Sequence, residues 1–204
     1  MDMGLSRLQN AVVDMANLAQ QSVMKAIEAY AKGEKITQEA LDRAKELSML
    51  ATEVEELAVE LLARYQPVAT DLRFIKSCLE IAYGFSRFGR YAYDIAQVLE
   101  IYGDLTECDK SVVENLSVKV TSMIQTSIQS FKTRDEKLAR SLRQEDDQVD
   151  EVYMNFNRQL SKGKPISTRC ALASALVLRY LERIADHACY IGDSVMYITT
   201  ATKV

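Results

Sequence analysis

The feature that most constrains this chain is a helical pattern that occurs twice. Shifting residues 73–95 by 96 positions lays Arg73 on Arg169, Arg87 on Arg183, Ala92 on Ala188 and Ile95 on Ile191. Apolar residues coincide between them: Ile75 with Ala171, Ile81 with Val177, Phe85 with Leu181 and Phe88 with Ile184. Any two amphipathic helices share part of such a pattern. Here the same helix–break–helix layout surrounds both, so duplication is the better explanation. An internal repeat fixes the architecture before any single element does.

Helical periodicity breaks at few places. Leu5, Leu8, Val12, Met15, Leu18, Val23, Ile27 and Tyr30 recur every three or four residues and end before Gly33, a good residue just past a helix. Thr37 is placed to cap a second helix carrying Leu41, Leu47, Leu50, Val54, Leu57 and Leu61, closed by Pro67. Thr70 and Asp71 open a third, which runs to about Tyr102 and stops at Gly103. Asp71 opposes the helix dipole there and is read as the cap.

The second half repeats the plan. Thr106 starts a helix carrying Val112, Leu116, Val120, Met123, Ile124, Ile128 and Phe131. Thr133 starts another, with Leu138, Leu142, Val149, Val152, Phe156 and Leu160. Gly163 and Pro165 form the break, and Ser167 caps a last helix reaching nearly to the C-terminus. Helices of about 25–35 residues are roughly 40–50 Å long, and short connections make neighbours antiparallel. The predicted fold is all-α: two tandem three-helix bundles, 1–102 and 103–204, joined into an elongated six-helix body.

Composition agrees and excludes several functions. Seven Gly and two Pro in 204 residues leave too little punctuation for an all-β fold. A net charge of -4 argues against a general nucleic-acid binder. The start of the chain has no basic-then-apolar leader, and its most apolar stretch, 170–178, is too short to span a bilayer, so a soluble protein that stays where it is made is expected. Cys78, Cys108, Cys170 and Cys189 show no C-x-x-C or zinc spacing and are read as four reduced, mostly buried thiols. No phosphate-binding loop, dinucleotide fingerprint or nucleophile–base arrangement is present.

The sharpest chemical signal is Leu181-Glu182-Arg183-Ile184-Ala185-Asp186-His187-Ala188. Glu182 and Asp186 lie four apart on one helix face, where like charges repel. The preceding helix offers Asp146 and Asp150 at the same spacing. With Val149 and Val152 facing the bundle, these acids occupy an adjacent stripe. Helices packed about 8–10 Å apart can bring the two pairs together. Four converging carboxylates would call for a hard cation such as Mg, Mn, Ca or ferric iron. Ala185 stands where a Glu-x-x-His di-iron motif needs its histidine, and the only histidine, His187, is turned about 100° from Asp186. The plainer reading stays open: Arg179 and Arg183 each precede a carboxylate by three and can pair with it. Asp147 and Glu151 are rival ligands.

Two tandem three-helix repeats with Pro67-Val68-Ala69-Thr70-Asp71-Leu72-Arg73-Phe74-Ile75 opening one third helix, and the Glu182–Asp186 motif inside the other, resemble the PhoU family of phosphate-uptake regulators. The resemblance spans nearly the whole chain. It implies a cytoplasmic, non-enzymatic regulator, often a homodimer, that works with a phosphate transporter and a sensor kinase and reaches the membrane only through a protein partner. It also implies metal clusters on an E/D-x-x-x-D motif in each repeat. This chain departs from that pattern in its first half. Ser86 and Arg90 replace the Glu182 and Asp186 equivalents, and Ala44 and Ser48 replace those of Asp146 and Asp150. One metal site at most is expected, in the second repeat, on Asp146, Asp150, Glu182 and Asp186. The rival readings are a metal-dependent enzyme or metal-storage bundle, and a metal-free structural adaptor.

The third helix is also rich in aromatics: Tyr83, Phe85, Phe88, Tyr91, Tyr93 and Tyr102. Core packing accounts for most of them, and a docking surface, with Arg87 and Arg90, for the remainder.

Overall fold

The computed structural model describes residues 1–202. Six helices follow one another: α1 (Asp2–Lys32), α2 (Thr37–Tyr65), α3 (Ala69–Tyr102), α4 (Ser111–Thr133), α5 (Glu136–Ser161) and α6 (Thr168–Thr200). Their ends are set by local chemistry. Gly33 takes a left-handed φ of 75°, so its N–H reaches the Tyr30 carbonyl while Glu34 N–H reaches that of Ala29. Ser167 caps α6 by accepting from Cys170 N–H.

Several expected caps fall elsewhere. Thr37 is already helical, and its hydroxyl turns to α3, 3.4 Å from the Ala96 carbonyl and 3.3 Å from Glu100 Oε1. Asp71 lies in the first turn of α3, but the cap is the extended Val68 and makes no side-chain hydrogen bond. Thr106 does not start α4; its N–H goes to Asp104 Oδ1, and the helix begins five residues later at Ser111. Thr133 is the last residue of α4. Asp135 caps α5 instead, accepting from Lys137 and Leu138 N–H at 2.8 and 3.2 Å. A carboxylate satisfies two orphan donors there, while threonine is tolerated inside a helix.

Within the first half α1, α2 and α3 pack on one another, and within the second α4, α5 and α6 do the same. The halves meet where α3 lies against α6 and α1 against α4. The α3–α6 seam is antiparallel: Glu80 meets Ser194 near one end, while Tyr91 stacks on Tyr180 towards the other. A single buried core runs through both halves, from Leu8 and Val12 to Val195 and Ile198. Phe85 and Phe88 are fully buried at its centre, edge to face at 5.6 Å. The close approach of α5 to α6 needs Gly192, where a Cβ would stand 2.9 Å from the Ala139 carbonyl oxygen.

The reading of four reduced thiols is corrected. Cys108 and Cys170 are joined by a disulfide across 62 positions, whereas Cys78 and Cys189 are free and buried. Cys108 lies in the linker between α3 and α4, and Cys170 in the first turn of α6. Spacing alone gives no sign that the linker folds back onto that turn.

Candidate functional site

The second half positions its acids as helical spacing requires. Leu142, Val149 and Phe156 anchor α5 in the core, leaving Asp146 half-buried beside them and Asp150 exposed. On α6, Leu181, Ile184 and Ala185 are fully buried, which draws Glu182 down to 8% exposure and leaves Asp186 half-buried.

The structure brings the four carboxylates into one electrostatic neighbourhood. Burial, then the nearby charges of Asp186 and Asp150, push the Asp146 carboxyl up to about 6. Burial first, then Asp186, push Glu182 up to about 7 against the opposing pull of Arg179. Asp186 is raised by burial, with Arg183 opposing and Asp150 reinforcing. Each shift has the cause expected of acids sharing a partly dry groove. Asp146 Oδ1 is buried without a hydrogen bond. Beside it the Cys189 thiol favours the ionised form only weakly.

The plainer reading is also present. Arg179 Nη1 donates to both Glu182 oxygens at 2.7 Å, and Arg183 Nη1 donates to Asp186 Oδ2 at 2.8 Å. Among the described residues no three His, Cys, Asp or Glu side chains are gathered closely enough to hold a metal ion as they stand. Asp147 and Glu151, the rival ligands, are exposed. The four acids therefore fit a hard cation in charge and donor type, while two arginines hold the α6 pair.

At the equivalent positions of the first half, Ser86 donates to the Tyr83 carbonyl at 2.8 Å. Arg90 pairs with Asp94 at 3.2 Å and lies 5.5 Å from the centre of the Tyr93 ring. Ala44 is half-buried and Ser48 exposed on α2.

His187 faces the α3 seam. Its ring meets Tyr83 at 6.0 Å and Tyr190 at 5.5 Å, both edge on, and Nε2 lies 3.5 Å from Tyr91 Oη. Burial, then Arg183 and Arg87, hold it down at about 4, so the imidazole is neutral at pH 7. Above it α3 and α6 part into a groove of 680 Å³ lined by Leu79, Tyr83, Gly84, Arg183, His187 and Tyr190, among others. That volume suits a small ligand or a few partner side chains. Tyr83 and Tyr190 are 59% and 56% exposed, unusual for rings that pack on a buried histidine.

Sequence reasoning missed this groove, although the repeat carries its signal. The equivalent of Gly84 is Tyr180, and that of His187 is Tyr91. Tyr180 stacks on Tyr91 at 6.4 Å and closes one face of the seam; Gly84 near His187 leaves the other face open. Of the α3 aromatics, Phe85, Phe88 and Tyr91 are buried, Tyr93 and Tyr102 are half-buried, and Tyr83 is exposed.

The model of the family described as "PhoU domain" matches residues 12–99 and again 113–195. A phosphate-specific transport system accessory protein PhoU homolog 1 from Methanothermobacter thermautotrophicus is 32% identical over 157 residues, covering 74% of this chain and 71% of that protein. A PhoU homolog of the same description from Aquifex aeolicus is 30% identical over 200 residues, covering 96% and 90%. The crystal structure of PhoU from Pseudomonas aeruginosa superposes with a TM-score of 0.91 at 27% identity, covering 98% of this chain and 99% of that one. With both repeats matched and the six-helix architecture shared end to end, the chain belongs to the PhoU domain family.

Proposed function

We propose that this protein is a non-enzymatic accessory regulator of phosphate uptake, working in the cytoplasm as a homodimer on components of a phosphate transporter and on a sensor kinase. The observation that carries this reading is the near-complete coincidence, in length and fold, with relatives named as accessory proteins of phosphate-specific transport. No helix among the described residues is long and apolar enough to cross a membrane, so contact with a transporter would run through a protein surface. The α3–α6 groove is the surface best suited to it, because exposed tyrosines beside an arginine are typical of interface centres.

Asp146, Asp150, Glu182 and Asp186 are the residues that would hold a hard cation, iron, Mg, Mn or Ca, in the second repeat. Bound there, the ion would supply positive charge to a cluster whose members now raise one another's proton affinity. Arg179 and Arg183 compete for the same carboxylates, so cation binding and these ion pairs exclude one another in proportion to their strengths. The status of this cluster would set how α5 and α6 present their common face.

Capture of transporter subunits from membranes of the native host, with a photo-crosslinker at Tyr83, tests the regulatory reading. Recovery of a phosphate-transporter subunit, reduced about tenfold by Tyr190→Ala at unchanged Tm, is the expected result. Capture without any such subunit, with normal phosphate uptake in a deletion strain, overturns it. One observation favours a metal-dependent enzyme instead: Glu182 near 7 in a partly buried site is where a general acid–base would be tuned. Phosphatase turnover that vanishes in both Glu182→Gln and Asp186→Asn would establish that second reading.

A further inference from the structure

We infer that the Cys108–Cys170 bond is a reversible redox latch that pins the linker between the two bundles to the first turn of α6. The linker, residues 103–110, is fastened at three points. Leu105 is 1% exposed in the core, Cys108 is bonded to Cys170, and Lys110 donates to the Tyr30 and Ala31 carbonyls at 2.9 and 3.0 Å. The last contact closes the end of α1, so the linker ties the first bundle to α4, and the disulfide ties both to α6. Beside the bond, Glu107 pairs with Arg169 at the surface, where an exposed ion pair contributes little. The bond is the only covalent one of the three fastenings, and opening it releases a loop that contains all of α4 and α5.

The other two cysteines do not compete for it. Cys78 is fully buried, with its thiol pushed up to about 12 by burial, and Cys189 is buried on α6, 19 residues from Cys170 along the helix. Neither buried thiol is bonded to the pair, so exchange is left to an external thiol. Cys108 and Cys170 are 8% and 4% exposed, so a thiol reaches the bond when the linker opens locally. The Cys108 end lies in irregular structure, where that opening breaks no helical hydrogen bonds, while Cys170 stays in the first turn of α6. A small dithiol therefore reduces it in two steps. One dithiol thiolate attacks Cys108 Sγ, forming a mixed disulfide and expelling the Cys170 thiolate, which takes up a proton. The second dithiol thiolate then attacks its own mixed-disulfide sulfur, releasing Cys108 and leaving the reagent as a cyclic disulfide. Two electrons pass to the protein, and a small-molecule disulfide such as oxidised glutathione takes them back.

The full chain, equilibrated either with oxidised glutathione or with dithiothreitol, tests the latch by three readouts. Alkylation and peptide mapping under denaturing, non-reducing conditions should find Cys108 and Cys170 bonded in the first sample and free in the second. Amide hydrogen exchange in 103–111 and 164–172 should quicken about tenfold or more on reduction, with α2 unchanged. The Tm should fall by about 5–15 °C. The double variant Cys108→Ser with Cys170→Ser should show the reduced exchange pattern in both buffers. Four free thiols after oxidised glutathione, a bond that dithiothreitol opens only in denaturant, or identical exchange in both states would each overturn the proposal.

Discussion

The two halves of this molecule share a plan and diverge in chemistry, and the boundary between what is shared and what differs follows burial. Positions sealed in the core remain apolar in both copies: Phe85 and Leu181, Phe88 and Ile184, Ile95 and Ile191. Where at least one copy is partly exposed the chemistry changes: Ser86 and Arg90 stand against Glu182 and Asp186, and Gly84 against Tyr180. Packing tolerates exchange of one apolar side chain for another but not loss of volume. Partly exposed positions carry no such constraint, so the first half could lose its acids while the second kept a cluster whose members repel one another.

The largest expected effect tests whether the halves are separable at all. Phe85→Ala and its counterpart Leu181→Ala should cost about 3–5 and about 2–5 kcal/mol respectively in chemical denaturation. Each should shift one cooperative transition, because the core is continuous. Two resolved transitions would break the picture of a shared interior. Next comes the acid asymmetry. Glu182→Gln with Asp186→Asn should weaken Mn²⁺ binding, followed by titration calorimetry, at least about tenfold. Grafting Ala44→Asp, Ser48→Asp, Ser86→Glu and Arg90→Asp into the first half should raise the Mn²⁺ stoichiometry towards two. A stoichiometry that stays unchanged would mean that more than these four positions separates the halves.

A third test uses pH on chelator-treated protein. Glu182 near 7 and Asp146 near 6 lie above their ordinary values, so the fold binds protons that the unfolded chain has released. Their effect is a loss of stability as pH rises from the ordinary carboxylate range through 7. His187, held at about 4 against an ordinary 6.5, acts oppositely, costing stability as pH falls below 6.5. The two acids together outweigh the single histidine, so the Tm should fall as pH rises from 4.5 to 6.5 and fall more gently from 6.5 to 8. Glu182→Gln should flatten the profile. The smallest effect is expected from Arg179→Ala. Its ion pair is partly exposed, so stability should fall by no more than about 1 kcal/mol. Mn²⁺ affinity should nevertheless rise, since a competitor for Glu182 is gone; a decline in affinity would show that Arg179 orders the site rather than occupying it.

Much of the fold was legible because the chain is sparsely punctuated. Gly33, Gly103 and Ser167 end or begin helices for reasons visible in one dimension, and the 96-residue register predicts which helices correspond. Thr37 misled because its hydroxyl turns to α3, Thr133 because its hydroxyl donates back to the Gln129 carbonyl within α4, and Thr106 because Asp104 takes its N–H in a turn ahead of the helix. Glu182 and Asp186 could be found by spacing, and so could the arginines three residues before each. Which partner wins depends on distances across α5 and α6 that spacing does not encode. The disulfide and the aromatic groove were hidden for the same reason: each joins residues that only the folded chain brings together.

The α3–α6 seam has one more consequence. Tyr91 and His187, corresponding residues of the two copies, touch each other across it. That is the geometry of a joint between two identical subunits around a twofold axis, here internalised in one polypeptide. A gene for a single trio would encode a product obliged to pair with itself. A chain that carries both copies has no such obligation, and the two sides of its joint are free to change separately. Gly84 in one copy and Tyr180 at the corresponding position of the other is a difference open to a single chain and denied to a pair of identical subunits.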